Sequence, residues 1–285
     1  LEVWPNRFVI PSSMGYVFAG IVYDVTFNFL YFAFANAVYA VDAATGLLAW
    51  QYTGAAADVY TIPSLCNGTL LFGNQGAGVT NLYQIDTLGA ANAAKQGQPV
   101  TLNWTQALPG AANGIPCYIG RPAAPDGSSA IYVVYRSAGT GSTAYYVTAV
   151  NSSDGSILWN SAVQGEALNG TLTALDCAAG QAQLPAATAP QAVLFVNAGS
   201  AIYALNTLDG TTLQTYTLPT GRITSSGMSI YSNQLYVGDT AGTLYVIDGM
   251  TMQLVTNTTD AMQNTWLGVL GKPTVIHSED PSDTT

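Results

Sequence analysis

The chain has 285 residues, of which 49% are apolar, enough to bury a large core and long enough for one closed β array. Only 8% are charged, and sixteen acidic residues outweigh six basic ones for a net charge of -10, whereas a typical soluble domain is roughly 25% charged. No run of Lys or Arg exists, so nucleic acid and anionic membrane are poor partners for this surface, and neither nucleic-acid binding nor membrane insertion is expected.

The N-terminal LEVWPNRFVI reads as an apolar strand carrying Val3, Trp4, Phe8, Val9 and Ile10. It has neither a basic n-region nor an apolar h-region, so the chain reads as a processed form or a piece of a longer one. Residues 1–16 are expected to be an arm that either closes its own ring or is donated to a neighbour, by strand addition to an exposed edge.

The most hydrophobic segment, GIVYDVTFNFLYFAFANAVYAV at 20–41, is interrupted by Asp24, Thr26, Asn28 and Asn36. That excludes an apolar membrane-spanning helix, and the wealth of Val, Tyr, Phe and Thr points to strands. Its end opens the phrase VYAVDAATGLLAW, which returns as YVTAVNSSDGSILW at 146–159, IYALNTLDGTTLQTY at 202–216 and LYVIDGMTMQLV at 244–255. Each phrase is an alternating strand ending on Asp or Asn, a turn rich in Gly, Asp and Thr, and a second strand. It reads as a β-hairpin.

The markers Asp42, Asp86, Asn151, Asn206 and Asp248 are spaced by 44, 65, 55 and 42 residues. A further strand precedes each hairpin, and a short small-residue segment such as TIPSLCNG or NGIPCYIG precedes that one. Four strands per unit at this period predict an all-β fold, a β-propeller of four-stranded antiparallel blades over residues 17–277. Five repeats are clear. A composite sixth would combine WLGVLGKPTVIH at 266–277 with the N-terminal strand, and the polar 278–285 reads as a flexible tail or linker. Extra length at 89–101, 121–129 and 178–192 is expected as inserted loops.

The pattern seen in LYFAFANAVYAVDAATGLLAW and LYVGDTAGTLYVID resembles the repeat of the quinoprotein alcohol dehydrogenase-like superfamily of β-propellers, named for the pyrroloquinoline-quinone-type repeat. The resemblance covers about residues 17 to 256 and implies the fold. Its quinone-dependent members use a vicinal Cys-Cys pair, a Trp platform and a calcium ion. Here Cys66, Cys117 and Cys177 are not adjacent, and Trp50 and Trp159 close strands of the repeat, so this chain reads as a non-enzymatic member with no cofactor.

Candidate chemistry is sparse. His277 is the only histidine and has no nucleophile elbow to serve. Asp42, Asp86, Asp154, Asp209 and Asp248 fall at hairpin turns, where a carboxylate bonds nearby backbone N–H groups. Asp24, Asp58, Glu166, Asp176 and Asp260 have no such explanation; a glycoside hydrolase would need two of them about 5–9.5 Å apart. The Gly-rich 73–78 and 137–142 lack a following Lys-Ser/Thr and read as strand connections.

The three cysteines lie in the segments that open blades two, three and four. One disulfide is expected in a secreted chain, Cys117 with Cys177 or Cys66 with Cys117. Sequons at Asn67, Asn103, Asn151, Asn169 and Asn257 add the expectation of N-glycans, which would supply the hydration that the low charge does not. These features together predict an extracellular protein, secreted or at the cell surface, that self-associates as a structural module of a coat or filament. The alternatives are a monomeric ligand-binding ectodomain and a propeller glycosidase.

Overall fold

The structure is a computed structural model that describes residues 20–59, 63–66, 68–74, 80–108, 111–112, 117–120, 129–136, 145–163, 176–182, 191–198, 200–219, 224–239 and 241–259. Its strands form five antiparallel sheets, the blades of a β-propeller, each built from strands consecutive in the chain.

Blade one is β1 (Val22–Asp24), β2 (Phe29–Phe34), β3 (Ala37–Asp42) and β4 (Leu48–Tyr52). Blade two is β5 (Ser64–Cys66), β6 (Thr69–Gly73) and β7 (Thr80–Asp86), then helix α1 (Thr87–Lys95), then β8 (Trp104–Leu108). A short β9 (Ala111–Ala112) joins blade three, made of β10 (Cys117–Gly120), β11 (Ser129–Arg136), β12 (Tyr145–Asn151) and β13 (Ile157–Val163). Blade four is β14 (Asp176–Ala182), β15 (Gln191–Ala198), β16 (Ala201–Asn206) and β17 (Thr212–Thr217). Blade five is β18 (Thr224–Tyr231), β19 (Gln234–Asp239), β20 (Thr243–Asp248) and β21 (Gln253–Thr259). The pieces of the expected sixth blade, residues 1–16 and 266–277, and the tail 278–285 lie outside the described residues.

The chain divides into two compact units. The first is Leu1–Ala167 with Leu208–Gly210; the second is Leu168–Thr207 with Thr211–Thr285. In the first, Tyr31, Val38 and Trp50 of blade one pack with Leu70, Phe72 and Ile85 of blade two, and Leu71, Leu82 and Trp104 pack with Ile131, Val133 and Val150 of blade three. In the second, Phe195, Ile202 and Ala204 pack with Met228, Leu235, Val237 and Ile247. Third strands such as AVYAV and AIYAL are buried on both faces, which is why they read as continuous rather than alternating apolar runs.

The repeated phrase has a repeated cause. The Asp42 carboxylate accepts from Ala44 N at 2.9 Å and from Thr45 N at 2.8 Å, while Gly46 takes the left-handed conformation with φ 72° and returns its N–H to Asp42 O. Gly155, four residues after Asn151, and Met252, four after Asp248, do the same at φ 79° and 52°, and Gly210 after Asn206 shares the left-handed φ at 73°. The outer strand then takes one extra residue opposite Ala40/Val41, Ala149/Val150, Ala204/Leu205 and Val246/Ile247, a bulge that re-aims the strand.

Blade two departs from this, and from the sequence reading. Asp86 was expected at a hairpin turn and 89–101 as an inserted loop, but Asp86 caps α1, accepting from Leu88 N at 3.1 Å. The Ala-rich run that follows favours helix over a tight turn. Gln98 N bonding to Ala93 O, with Gly97 at φ 67°, ends it.

Candidate functional site

The tryptophans of blades one to three occupy one register position, two residues before the marker on the paired strand. Trp50 lies opposite Ala40, Trp104 opposite Gln84 and Trp159 opposite Ala149. Those of blades two and three face the turn of the next repeat. Trp104 donates from Nε1 to Ser152 O at 3.1 Å and its ring covers Gly155; the ring of Trp159 covers Gly210, which explains why Leu208–Gly210 groups with the first unit. Trp50 meets Ala90 and Ala91 of α1 instead, and its buried Nε1 has no acceptor. Trp50 and Trp159, read from the sequence as packing residues at strand ends, do pack against neighbouring described residues.

The carboxylates are largely occupied. Asp24, 3% exposed, accepts from Thr26 N at 2.8 Å and from the Tyr31 hydroxyl at 3.0 Å. Burial first, and then that bond to a carboxylate, push the Tyr31 phenol far above its ordinary value. Asp239, fully buried, is held alike by Ala241 N, Thr243 N and the Tyr245 hydroxyl. The Asp42 and Asp154 carboxylates are held below the usual range, mainly by the backbone N–H of Thr45 and of Ser156. Asp248 accepts from Met250 N at 2.7 Å. Asp58 is exposed; Glu166 and Asp260 lie outside the described residues, as do His277 and the side chain of Asp176. No group of three or more His, Cys, Asp or Glu among the described residues is placed to hold a metal ion.

Two shallow grooves flank α1 in the first unit. One, of about 330 Å³, is lined by Tyr23, Asp24, Val25, Phe27, Leu65 and Thr87. The other, of about 300 Å³, lies between Phe29, Leu47, Leu48, Trp50 and Lys95. Beside the first, Tyr23 of β1 and the residues flanking the strand, Ile21 and Val25, are exposed at 54%, 63% and 81%, with Leu88 exposed on the first turn of α1. Sequence reasoning missed this face. Its signals were the alternation I-V-Y-D-V at 21–25 and the Asp-capped, Ala-rich run after 86.

Cys66, Cys117 and Cys177 do sit on the opening strands β5, β10 and β14. Their registers differ: Cys66 pairs with Thr69 beside the turn, whereas Cys117 with Tyr132 and Cys177 with Val196 sit toward the opposite end of their strands. Their side chains lie outside the described residues. Asn103 and Asn257 are exposed, Asn151 is half-buried, and Asn67 and Asn169 lie outside the described residues.

The family profile described as outer membrane protein assembly factor BamB matches residues 104–266, more than half of the chain. The chain belongs to the BamB family of quinone-type-repeat propellers. Among solved structures, BamB from Moraxella catarrhalis is similar to this family member with a TM-score of 0.60 at 14% identity, over 91% of this chain and 67% of that one. The quinohemoprotein alcohol dehydrogenase ADHIIG from Pseudomonas putida HK5 is similar with a TM-score of 0.51 at 18% identity, over 82% of this chain and 40% of that one. At these identities the likeness is one of fold, and it extends to an enzyme as well as to an assembly factor. A search of the curated proteins gives no match. No described helix of this BamB-family chain is long and apolar enough to cross a membrane.

Proposed function

We propose that this chain is a non-enzymatic assembly module that works outside the cytoplasm, secreted or at the cell surface, and self-associates into a coat or filament. The observation that carries this reading is the exposed apolar face at β1, made by Tyr23 with the flanking Ile21 and Val25, which no other described residue covers. The polar groups around it are engaged in holding their own turns. The family's description as an outer membrane protein assembly factor supports the non-enzymatic, extracytoplasmic part of this reading.

The N-terminal segment supplies the connecting strand in this reading. Gly155 and Gly210 are each covered by the tryptophan of the preceding repeat, and Gly46 has the same left-handed φ of 72°. The segment Leu1–Trp4 ends in tryptophan as Leu47–Trp50 does, so Trp4, with Val3, Phe8, Val9 and Ile10 behind it, is the residue to seat on Gly46 of a neighbouring copy. Such a heterologous contact propagates unless it closes on itself.

Light scattering on a size-exclusion column tests the reading. A mass that grows with concentration, and collapses to the monomer when residues 1–13 are deleted, is the expected result. A monomer at every concentration overturns it, assigns the strand to its own ring, and turns attention to the two grooves beside α1 as the ligand sites of a monomeric ectodomain.

A further inference from the structure

We infer that Asn103 and Asn257 carry N-linked glycans while Asn151 does not, and that the two glycans close the outer edges of β8 and β21 to strand addition. This rests on the extracytoplasmic reading above.

The outermost strands of the five blades are β4, β8, β13, β17 and β21, with sequences LAWQY, WTQAL, ILWNSAV, TLQTYT and QLVTNTT. None contains a charged residue or a proline, the groups that ordinarily keep a sheet edge from pairing with another chain. Four of the five have a bulge beside their turn; the pairing of β7 with β8 has no register shift, so β8 has none of these protections. Asn103 immediately precedes β8, and Asn257 lies within β21. One sequon therefore stands beside the edge that nothing else in its sequence guards, and the other on an edge guarded by its bulge alone.

The local geometry separates the three described sequons. Asn257 is exposed on β21, opposite Tyr245. Asn103 is exposed, and its Nδ2 donates to Gln84 Oε1 at 3.1 Å; a glycosylated amide keeps one N–H, so that bond survives modification. Asn151 is half-buried and its Oδ1 accepts from Ser153 N at 3.0 Å and Ser153 Oγ at 2.9 Å, tying up the hydroxyl of its own sequon. The turn is also pinned to blade two, because Ser152 O accepts from Trp104 Nε1 and from Gln84 Nε2.

The chemistry takes a polyisoprenyl diphosphate oligosaccharide as donor. The asparagine amide nitrogen forms a bond to the anomeric carbon, the bond from that carbon to the phosphate oxygen breaks, the lipid diphosphate leaves, and one amide proton passes to the transferring enzyme's base. With β8 and β21 covered, β4, β13 and β17 are the edges left for assembly.

The experiment is peptide mapping of protein from its native source, with and without peptide N-glycosidase in heavy-oxygen water, followed by light scattering of the native and enzymatically deglycosylated protein and of the Asn103→Gln, Asn257→Gln double variant. Glycans on Asn103 and Asn257, a bare Asn151, and self-association at a protein concentration about tenfold lower after deglycosylation are expected, tenfold corresponding to about 1.4 kcal/mol. A bare Asn103 or Asn257, or a glycan on Asn151, overturns the inference; if that protein still polymerises, the assembly reading stands without it. Glycans at both sites on a protein that is monomeric with and without them remove the edge-closing role and the assembly reading together.

Discussion

Gly155 lies so close to the indole of Trp104 that a β-carbon on it would stand 2.7 Å from Cε3. The same holds one repeat later, where a β-carbon on Gly210 would stand 2.6 Å from Cε3 of Trp159. The glycine four residues after the marker thus has two reasons to be glycine, a left-handed φ and an aromatic ring on its α-carbon. Where the preceding repeat has Gln214 in place of tryptophan, the corresponding position holds the buried Met252 at φ 52°, because only the backbone reason remains.

That double role separates two substitutions. Gly155→Ala meets both a φ of 79° and the indole, and is expected to cost about 2–4 kcal/mol. Gly68→Ala has a φ of 73° with nothing within 4 Å of the added carbon, and is expected to cost about 1 kcal/mol. Denaturant unfolding measures both; equal costs would show that the indole contributes nothing to the requirement.

The indole N–H groups differ in the same testable way. Trp104→Phe loses a bond to Ser152 O and leaves that carbonyl to Gln84 Nε2 alone, whereas Trp50→Phe removes a buried donor that has no acceptor. Trp104→Phe is expected to be the more destabilising by about 1 kcal/mol beyond the common loss of ring area. Urea titration of the pair reads the difference, and the reverse order would contradict the hydrogen-bond assignment.

Asp239 serves three donors in one buried site. Asp239→Ala leaves Ala241 N, Thr243 N and the Tyr245 hydroxyl without it and is expected to cost about 3 kcal/mol or more. Asp239→Asn is expected to cost less, because blade two already uses the amide of Asn74 at this place, its Oδ1 accepting from Asn81 N. Thermal melting of the two variants decides it; equal losses would mean that the charge, not the acceptor oxygen, holds the turn.

Acid should weaken the turns of blades one and three. The Asp42 and Asp154 carboxylates are held below their ordinary value by Thr45 and Ser156. A depressed folded-state value means the stabilisation is present above the unfolded carboxylate value, about 4, and is lost as pH falls through the folded one. Asp42→Asn and Asp154→Asn are therefore expected to flatten the fall of stability below about pH 4 and leave its neutral-pH shape unchanged. A pH series of chemical denaturation curves checks the sign.

The sequence by itself determined the blade. The phrase VYAVDAATGLLAW encodes its own hairpin, because Asp42, Thr45 and Gly46 act on backbone only two to five residues away, and contacts that local recur wherever the residues recur. For the same reason the repeat, the hairpin turns and the tryptophan position were legible before any coordinates. Tertiary structure alone decided what the blades do to one another. That Trp50 has no acceptor while Trp104 keeps one, that Ile21, Tyr23 and Val25 face solvent, and that the turn after Asn151 is pinned to blade two all depend on neighbours many residues distant. Strand alternation says that a side chain faces one side or the other; only the packed neighbour says whether that side is covered.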